Sequence, residues 1–190
     1  MSFSTSSLIP PGKIILTYDD YCALPNDRNR YEILDGELFV TPAPATQHHI
    51  ALGNLYRIVS IYVIAHRMGR LLLAPTDLIL SATTVVQPDL IFIGNDRSRV
   101  VTERGVEGAP TLVIEILSPT THRTDRETKA QLYAKYGVPH YWLIDPDQQV
   151  LEGYELSGDQ YNLVTRAQDA DRFTPSVFPG LSIQISDLWA

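Results

Sequence analysis

Three short runs of branched and aromatic residues constrain how this chain can fold. VVQPDLIFIG, TLVIEILS and HYWLIDP occupy residues 85–94, 111–118 and 140–146. Each run is largely apolar without a strict polar alternation, which is typical of a strand covered on both faces of a sheet. We therefore expect these runs to form the buried centre of a β-sheet.

Helical patterns separate the strand-like runs. Residues 47–68 form the longest of them, with apolar side chains recurring at helical spacing. A second helix is predicted to begin at Thr124 or Asp125 and to end at Tyr136, with Gly137 as the residue that stops it. The order of elements is then typical of a sheet with helices packed against it.

Both ends of the chain carry hairpin signals. Thr17 is predicted to cap a short helix, and the DG dipeptide at residues 35–36 then indicates a two-residue turn within YEILDGELFV. The SGD segment at residues 157–159 separates two alternating stretches that are also typical of a hairpin. The predicted fold class is α+β (α/β): a central mixed sheet flanked by helices, with an N-terminal helix plus hairpin and a C-terminal hairpin.

Length and composition fit a single folded domain. The chain has 190 residues, of which 44% are hydrophobic and 19% charged, so we expect one domain over residues 17–190 after a flexible segment 1–16. Cys22 is the single cysteine, which favours a reducing compartment. No apolar run reaches the roughly 18 residues of a membrane span, and the N terminus lacks a signal-peptide pattern. These features predict a cytoplasmic protein without membrane contact.

The net charge bears on nucleic-acid binding. Lys and Arg number 15 against 22 Asp and Glu, and the net charge of −7 excludes a protein that coats nucleic acid non-specifically. Residues 97–135, however, carry seven basic and five acidic side chains. The charge is therefore compatible with an enzyme that meets phosphate in one local crevice, with weak and salt-sensitive affinity for DNA.

Two of the strand-like runs contain a carboxylate. Asp89 lies in QPDLIFI, and Glu115 lies in LVIEILS. Acidic side chains are rarely fully buried unless they are paired or bind a metal, although either one alone fits a hydrogen-bonded strand end equally well. If the two strands are neighbours, both carboxylates point into one crevice, and their repulsion calls for a cation. Carboxylate and water oxygens favour Mg²⁺ or Mn²⁺ over zinc.

Lys129 is the third candidate residue and lies in the helix after Glu115. Asp125, Lys129 and Tyr133 are spaced at i, i+4 and i+8, so they share one helical stripe. Taken alone, this spacing favours a surface ion pair between Asp125 and Lys129. Taken together with Asp89 and Glu115, it predicts a lysine beside the two carboxylates.

The spacing of these residues resembles the PD-(D/E)xK nuclease pattern. In that superfamily an Asp and a Glu, here Asp89 and Glu115, bind a divalent metal, and a lysine positions the attacking water. Leu117 stands where the strict pattern has its lysine. Several branches of the superfamily carry the lysine on the following helix instead, which is where Lys129 lies.

Longer segments resemble one branch of this superfamily, the Uma-two family of restriction-endonuclease-like proteins. The similarity covers about residues 17–188, and His48 matches a histidine of the family. It rests on these segments: YEILDGEL, the Pro-rich loop before the long helix, QPDLIFI, IEILSPTT and DRETKAQLYAKYGVPHYWLIDP. His140 departs from the family, which usually has Glu before Tyr-Trp, and we interpret this change as peripheral.

The resemblance implies a restriction-endonuclease-like core and a nuclease that hydrolyses DNA, with a homodimer as the simplest way to cut both strands. Asp89, Glu115 and the backbone carbonyl of Ile116 would hold one or two Mg²⁺ ions, with Mn²⁺ as a substitute. Lys129 would stay protonated and orient or activate the attacking water. Leu117 leaves a second class open, a catalytically inactive module of this fold that acts on nucleic acid or on a protein partner.

Four further residues are weaker candidates. Alternation along the hairpin predicts that Glu32 and Glu37 lie on opposite faces, and we favour Glu37 as an additional metal ligand, with a solvated hairpin acid as the equal alternative. His48 either contacts phosphate or caps the long helix. Tyr133 and Arg126, both in the second helix, are candidate phosphate contacts, although an aromatic residue in a helix more often belongs to the core.

Overall fold

The computed structural model describes residues 14–27, 29–41 and 43–190. Its α-helices are α1 (Tyr18–Cys22), α2 (Thr46–Ala65) and α3 (Ala130–Lys135). Six residues wound as a π-helix, Thr124–Lys129, lead directly into α3. Within the described ranges, no helix is long and apolar enough to cross a membrane. The predicted flexible segment lies outside the described residues apart from its last three positions, and the domain limits stay a prediction.

Strands form the rest of the framework. In chain order they are β1 (Arg30–Leu34), β2 (Glu37–Thr41), β3 (Gly69–Leu73), β4 (Leu78–Ser81), β5 (Thr84–Val86), β6 (Leu90–Gly94), β7 (Val101–Thr102), β8 (Gly105–Glu107), β9 (Leu112–Ile116), β10 (His140–Asp145), β11 (Val150–Ser157), β12 (Gln160–Gln168), β13 (Arg172–Phe173) and β14 (Ile183–Gln184). Short 3₁₀ turns cover Asn95–Val100 and Ile185–Leu188.

The strands form two mixed sheets. The first sheet has the order β2-β1-β5-β4-β8-β7, and the second has the order β12-β11-β10-β9-β6-β3. Each contains one parallel pair, β4 with β8 and β9 with β10, among antiparallel neighbours. The predicted α+β class is confirmed, as are the hairpins β1–β2 and β11–β12. The sheet framework of the described residues is divided into these two six-stranded sheets, and β13 pairs with β14 in a separate two-stranded sheet.

The predicted run 85–94 divides between the two sheets. Its first part is β5 in the first sheet, and its second part is β6 in the second sheet. Pro88 has no N–H to donate to a strand ladder, and the Gln87 N–H donates to the Glu32 carboxylate at 2.8 Å instead of to a neighbouring strand. Asp89 therefore lies where the chain passes from one sheet to the other.

Helix α2 packs on one face of the second sheet. Its buried side chains Ala51, Leu55, Val59 and Val63 recur every four residues and join the core cluster that includes Trp142. The helix ends at Ala65, three residues before the predicted end. This apolar face fixes the start of α2 over one end of the second sheet, close to β6.

The other face of the second sheet packs towards the first sheet. A second hydrophobic core cluster lies between the two sheets. It contains Val113 of β9, Leu78 and Val86 from the first sheet, and Tyr133 from α3. Side chains alternate along a strand, so Glu115 projects from the same face of β9 as Val113. Glu115 consequently points into the space between the two sheets and α3.

Candidate active site

A cavity of about 210 Å³ lies where β1, the start of β6, the end of β9 and the π-helical turn meet. Strands β6 and β9 are antiparallel neighbours with Leu90 opposite Ile114, which places Asp89 beside Glu115 at one end of the pair. The strand neighbourhood on which the predicted site depends is therefore present. The charged or titratable side chains lining the cavity are Arg30, Glu32, His48, Asp89, Glu115, Asp125 and Lys129.

Lys129 is the central cation of the cavity. Its side chain is 3% exposed, and its Nζ lies 3.0 Å from Glu32, 3.1 Å from Glu115 and 3.3 Å from Asp125. Burial opposes the charge of this lysine, but the three carboxylates outweigh it and hold the Lys129 pKa well above its ordinary value. The spacing of Asp125 and Lys129 on one helical face is as the sequence predicts, but the pair is buried instead of exposed.

Glu115 is bound by two side chains from the helical segment that follows β9. Its Oε1 accepts hydrogen bonds from Lys129 Nζ at 3.1 Å and from the Tyr133 hydroxyl at 2.7 Å. Burial raises the pKa of Glu115 to about 8; Lys129 opposes this shift, while the nearby charges of Asp125, Asp89 and Glu32 add to it. An additional positive charge near Glu115 would therefore stabilise its ionised form.

Asp89 is bound on both of its carboxylate oxygens. Its Oδ1 accepts from Arg30 Nη1 at 3.0 Å, and its Oδ2 lies 2.9 Å from the Ile116 N–H and 3.0 Å from His48 Nε2. Burial alone would raise the pKa of Asp89, but the hydrogen bonds and charges of these partners outweigh it and lower the pKa. Asp89 is thus the acid of the cavity whose partners favour its ionised form.

The cavity has the donor chemistry for a hard divalent cation. Its carboxylates outnumber its permanent cations by four to two: Glu32, Asp89, Glu115 and Asp125 against Arg30 and Lys129. Oxygen ligands and an excess of negative charge suit Mg²⁺ or Mn²⁺. Among the described residues, no three Asp, Glu, His or Cys side chains already converge as metal ligands. A cation would therefore have to displace some of the hydrogen bonds that Asp89 and Glu115 now make.

The predicted role of Glu37 is corrected in favour of Glu32. Leu34 pairs with Glu37 across the turn, and paired residues project from the same face, so Glu32, Leu34 and Glu37 share one face of the hairpin. Glu32 is 3% exposed and reaches Lys129, whereas Glu37 is exposed beside the turn and does not line the cavity. The expectation of opposite faces was wrong because alternation was counted through the turn instead of across the pair.

His48 does not cap α2, and its predicted contact with phosphate stays a prediction. Ala45 occupies the position that caps α2, and the His48 ring is buried against Asp89. Its Nδ1 has no hydrogen-bond partner among the described residues, although His48 lines the cavity. His48 therefore holds Asp89 through Nε2 and leaves Nδ1 without a partner among the described residues.

Tyr133 and Arg126 do not lie at the cavity wall. Tyr133 is fully buried, and its hydroxyl donates a hydrogen bond to Glu115 instead of facing solvent. Arg126 donates from Nη1 to Glu152 at 2.6 Å and lines a different cleft. The burial of Tyr133 argues against direct contact with phosphate, whereas the contact of Arg126 with phosphate stays a prediction.

Sequence reasoning missed two members of the cavity. No local sequence pattern indicates a role for Arg30. Its partner Asp89 is 59 positions away, and their contact depends on the packing of two sheets. Glu32 stood beside the apolar Ile33 and Leu34 in a hairpin strand, and pairing Leu34 with Glu37 across the turn would have placed it with the inward face. Asp125 was noted only as an ion-pair partner of Lys129.

Replacing Tyr133 with Phe is expected to lower the free energy of unfolding by about 1–2 kcal/mol at pH 7. The substitution keeps the ring but removes the hydroxyl that donates to the fully buried Glu115. Urea unfolding measures the change. Tyr56→Phe is the matched control, since the partly buried Tyr56 forms no hydrogen bond through its hydroxyl with the described residues. Equal stability of the two variants would contradict the role given to the Tyr133 hydroxyl.

Comparison with known proteins gives first the class and then the family. A solved structure from Anabaena variabilis ATCC 29413, described as "a putative nuclease belonging to DUF820", is similar to this chain with a TM-score of 0.74 and 25% sequence identity. The match covers 92% of this chain and 97% of the other, so the two proteins share a fold. The family model of Uma2, described as "Putative restriction endonuclease", matches residues 18–186, and the chain belongs to this family. None of the curated proteins matches the sequence.

Proposed function

We propose that this protein is a divalent-metal-dependent endonuclease that hydrolyses phosphodiester bonds of DNA at the cavity. Family and structural neighbour support a nuclease. The observation that carries the finer proposal is the meeting of four buried carboxylates with one buried lysine at the junction of two sheets. Groups that are costly to bury are concentrated where function requires them.

Asp89 and Glu115, together with the backbone carbonyl of Ile116, are the groups that would hold the cation. Once bound, Mg²⁺, or Mn²⁺ in its place, polarises a phosphate oxygen and lowers the pKa of a water molecule. The Ile116 N–H already donates to Asp89 at 2.9 Å, so this stretch of backbone is fixed beside the carboxylate. The backbone contact would keep Asp89 in place while its other partners change.

Lys129 is the group that would act on the attacking water or on the phosphate. Its ammonium is surrounded by three carboxylates, which keep it protonated, so it serves as a hydrogen-bond donor and not as a base. A donor in this position orients the water and stabilises the negative charge that develops on the phosphate oxygens. Leu117, which occupies the usual lysine position, is buried in the core between the sheets and makes no contribution to this step.

We further propose a cytoplasmic homodimer. A cut through both strands of duplex DNA needs two sites, and a two-fold dimer supplies them in opposite directions. The single cysteine is compatible with a reducing compartment.

Incubation of the protein with supercoiled DNA tests the proposed function. We expect nicking with Mg²⁺ or Mn²⁺ and none with EDTA, and a loss of about 10³-fold or more in rate for Asp89→Ala. Agarose gel electrophoresis of the relaxed and linear forms is the readout. Asp187→Ala, a change of an exposed acid in the C-terminal turn, serves as the control and should nick at the normal rate. Absence of metal-dependent nicking, or full activity of Asp89→Ala, would refute the proposal.

A second candidate function is a binding or regulatory module that keeps the fold without catalysis. It is favoured by Leu117 in the lysine position and by the hydrogen bonds that already saturate Asp89. A divalent-cation titration separates the two. A rise in melting temperature with Mg²⁺ that Asp89→Asn removes would favour the enzyme, and a cation-independent melting temperature would favour the module.

A further inference from the structure

Arg30 stands between the catalytic cavity and a larger groove. It is the first residue of β1, and it lines both the 210 Å³ cavity and an adjoining groove of about 670 Å³. Its side chain is 22% exposed, whereas Asp89, which it binds, is 2% exposed. Arg30 is therefore the point at which solvent, the groove and the cavity meet.

Arg30 is also the most exchangeable of the three groups that bind Asp89. The Ile116 N–H belongs to the backbone at the end of β9, and the His48 ring, in the first turn of α2, is 6% exposed. Arg30 reaches Asp89 through a single nitrogen, Nη1, at 3.0 Å. Its other N–H groups form no hydrogen bond within the described part of the chain, so they are available to another acceptor.

The Arg30 guanidinium and a divalent cation would bind the same oxygen of Asp89. If Asp89 holds a divalent cation, as in the proposed function, its Oδ1 is the oxygen with the fewest other donors, and the guanidinium and the cation compete for it. A displaced guanidinium stays charged and binds whatever acceptors it then meets, water or an anion. The neighbouring groove is the open space into which it can turn.

The groove has room for an anionic ligand beside a displaced Arg30. Among the described residues that line it, Arg30 is the one Arg or Lys side chain, and the groove also contains the rings of Tyr21 and Tyr31. The two acids at its wall accept hydrogen bonds from tyrosines, Asp27 from Tyr31 and Asp77 from Tyr21, and no ion pair joins either of them to Arg30 within the described part of the chain. A phosphate beside these rings would find its cationic partner in Arg30, and a planar guanidinium binds phosphate through two nitrogens.

We propose that Arg30 exchanges partners during the reaction: it binds Asp89 until a divalent cation takes that carboxylate, and it then binds a phosphate of the nucleic acid in the adjoining groove. This inference rests on the proposed function. It makes Arg30 a substrate-binding residue whose resting contact opposes metal binding. Loss of Arg30 must therefore change metal affinity and DNA affinity in opposite directions, which a purely structural counter-ion of Asp89 would not do.

Paired binding measurements on Arg30→Gln test the exchange. Mn²⁺ affinity, measured by the electron paramagnetic resonance of free Mn²⁺, is expected to be about tenfold tighter than in the wild type, because a competing cation is gone. Affinity for a fluorescein-labelled DNA duplex, measured by anisotropy with saturating Ca²⁺, is expected to be about tenfold weaker, because a charge-assisted contact to phosphate is lost. Arg30→Lys should keep the wild-type metal affinity and restore part of the DNA affinity.

Arg97→Gln is the matched control. Arg97 is 32% exposed and donates to the Ala109 carbonyl outside both the cavity and the groove, so both affinities should stay unchanged. Weaker Mn²⁺ binding by Arg30→Gln, or unchanged DNA binding, would overturn the inference, with circular dichroism verifying that the variant is folded. These outcomes differ from failure of the proposed function, which is read from metal-dependent nicking by the wild type.

Discussion

Lys129→Met is expected to abolish DNA nicking and to destabilise the protein far more at pH 8 than at pH 5. The ammonium lies within 3.3 Å of Glu32, Glu115 and Asp125, and all of these side chains are buried. Removing one partner of a buried ion pair costs about 3–5 kcal/mol because the remaining charges lose their compensation. Lys129 is charged throughout this pH range, so the pH dependence comes from the carboxylates that it leaves behind.

The direction of this pH effect follows from those carboxylates. Burial raises the folded-state pKa values of Glu115 and Asp125, and Lys129 opposes this shift, so removing Lys129 raises both pKa values further and these two groups hold their protons more strongly at the lower pH. As pH rises they must ionise beside one another, and the stability of the variant is lost. Urea unfolding at the two pH values, with EDTA present, measures the difference.

Lys135→Met provides the control on the same helix. Lys135 is 55% exposed and binds the exposed Asp35, and such surface pairs contribute about 0–1 kcal/mol. We expect normal nicking and nearly normal stability at both pH values. Wild-type nicking by Lys129→Met, or equal destabilisation of that variant at both pH values, would contradict the role assigned to Lys129.

Glu115→Gln is expected to abolish nicking and at the same time to make stability less dependent on pH. The folded-state pKa of Glu115 is raised to about 8 from an ordinary 4.5, chiefly by burial. The folded protein therefore binds this proton more tightly than the unfolded chain does. The stabilisation is complete below about pH 4.5 and is lost as pH rises towards 8, with a slope of at most about 1.4 kcal/mol per pH unit.

The variant isolates this titration because Gln keeps the shape of the side chain and an oxygen that can accept from Tyr133. The difference in unfolding free energy between wild type and Glu115→Gln, measured in urea with EDTA from pH 5 to pH 8, should move in favour of the variant as pH rises. Glu127→Gln is the control, since Glu127 is 60% exposed and pairs with Arg123 on the surface. Parallel pH profiles for wild type and Glu115→Gln would show that this carboxyl does not titrate in the range.

Much of the framework could be predicted because it depends on local patterns. The apolar runs around Glu115 and residues 140–146 predicted β9 and β10, and the turn signals predicted both hairpins. The placement of Asp89 and Glu115 in one cavity agrees with the expectation that their strands are neighbours. The position of Lys129 followed from the helical stripe.

The remaining features depend on tertiary contacts that a sequence does not encode locally. Residues 85–94 looked like one strand, but the chain changes sheets at Gln87–Asp89, and no local pattern specifies which sheet each half joins. The choice between Glu32 and Glu37 depended on pairing across the turn. The contact between Arg30 and Asp89 joins the two sheets and exists only once both have packed together.

A crystal of the protein soaked in Mn²⁺ tests the central claim most directly, because that claim concerns a cation held by Asp89 and Glu115. We predict an anomalous-scattering peak in the cavity, within about 2.2 Å of an oxygen from each of these two carboxylates, with the Lys129 ammonium beside it. No peak at this position, with Asp89 still bound by Arg30 and His48 at a saturating Mn²⁺ concentration, would contradict the claim.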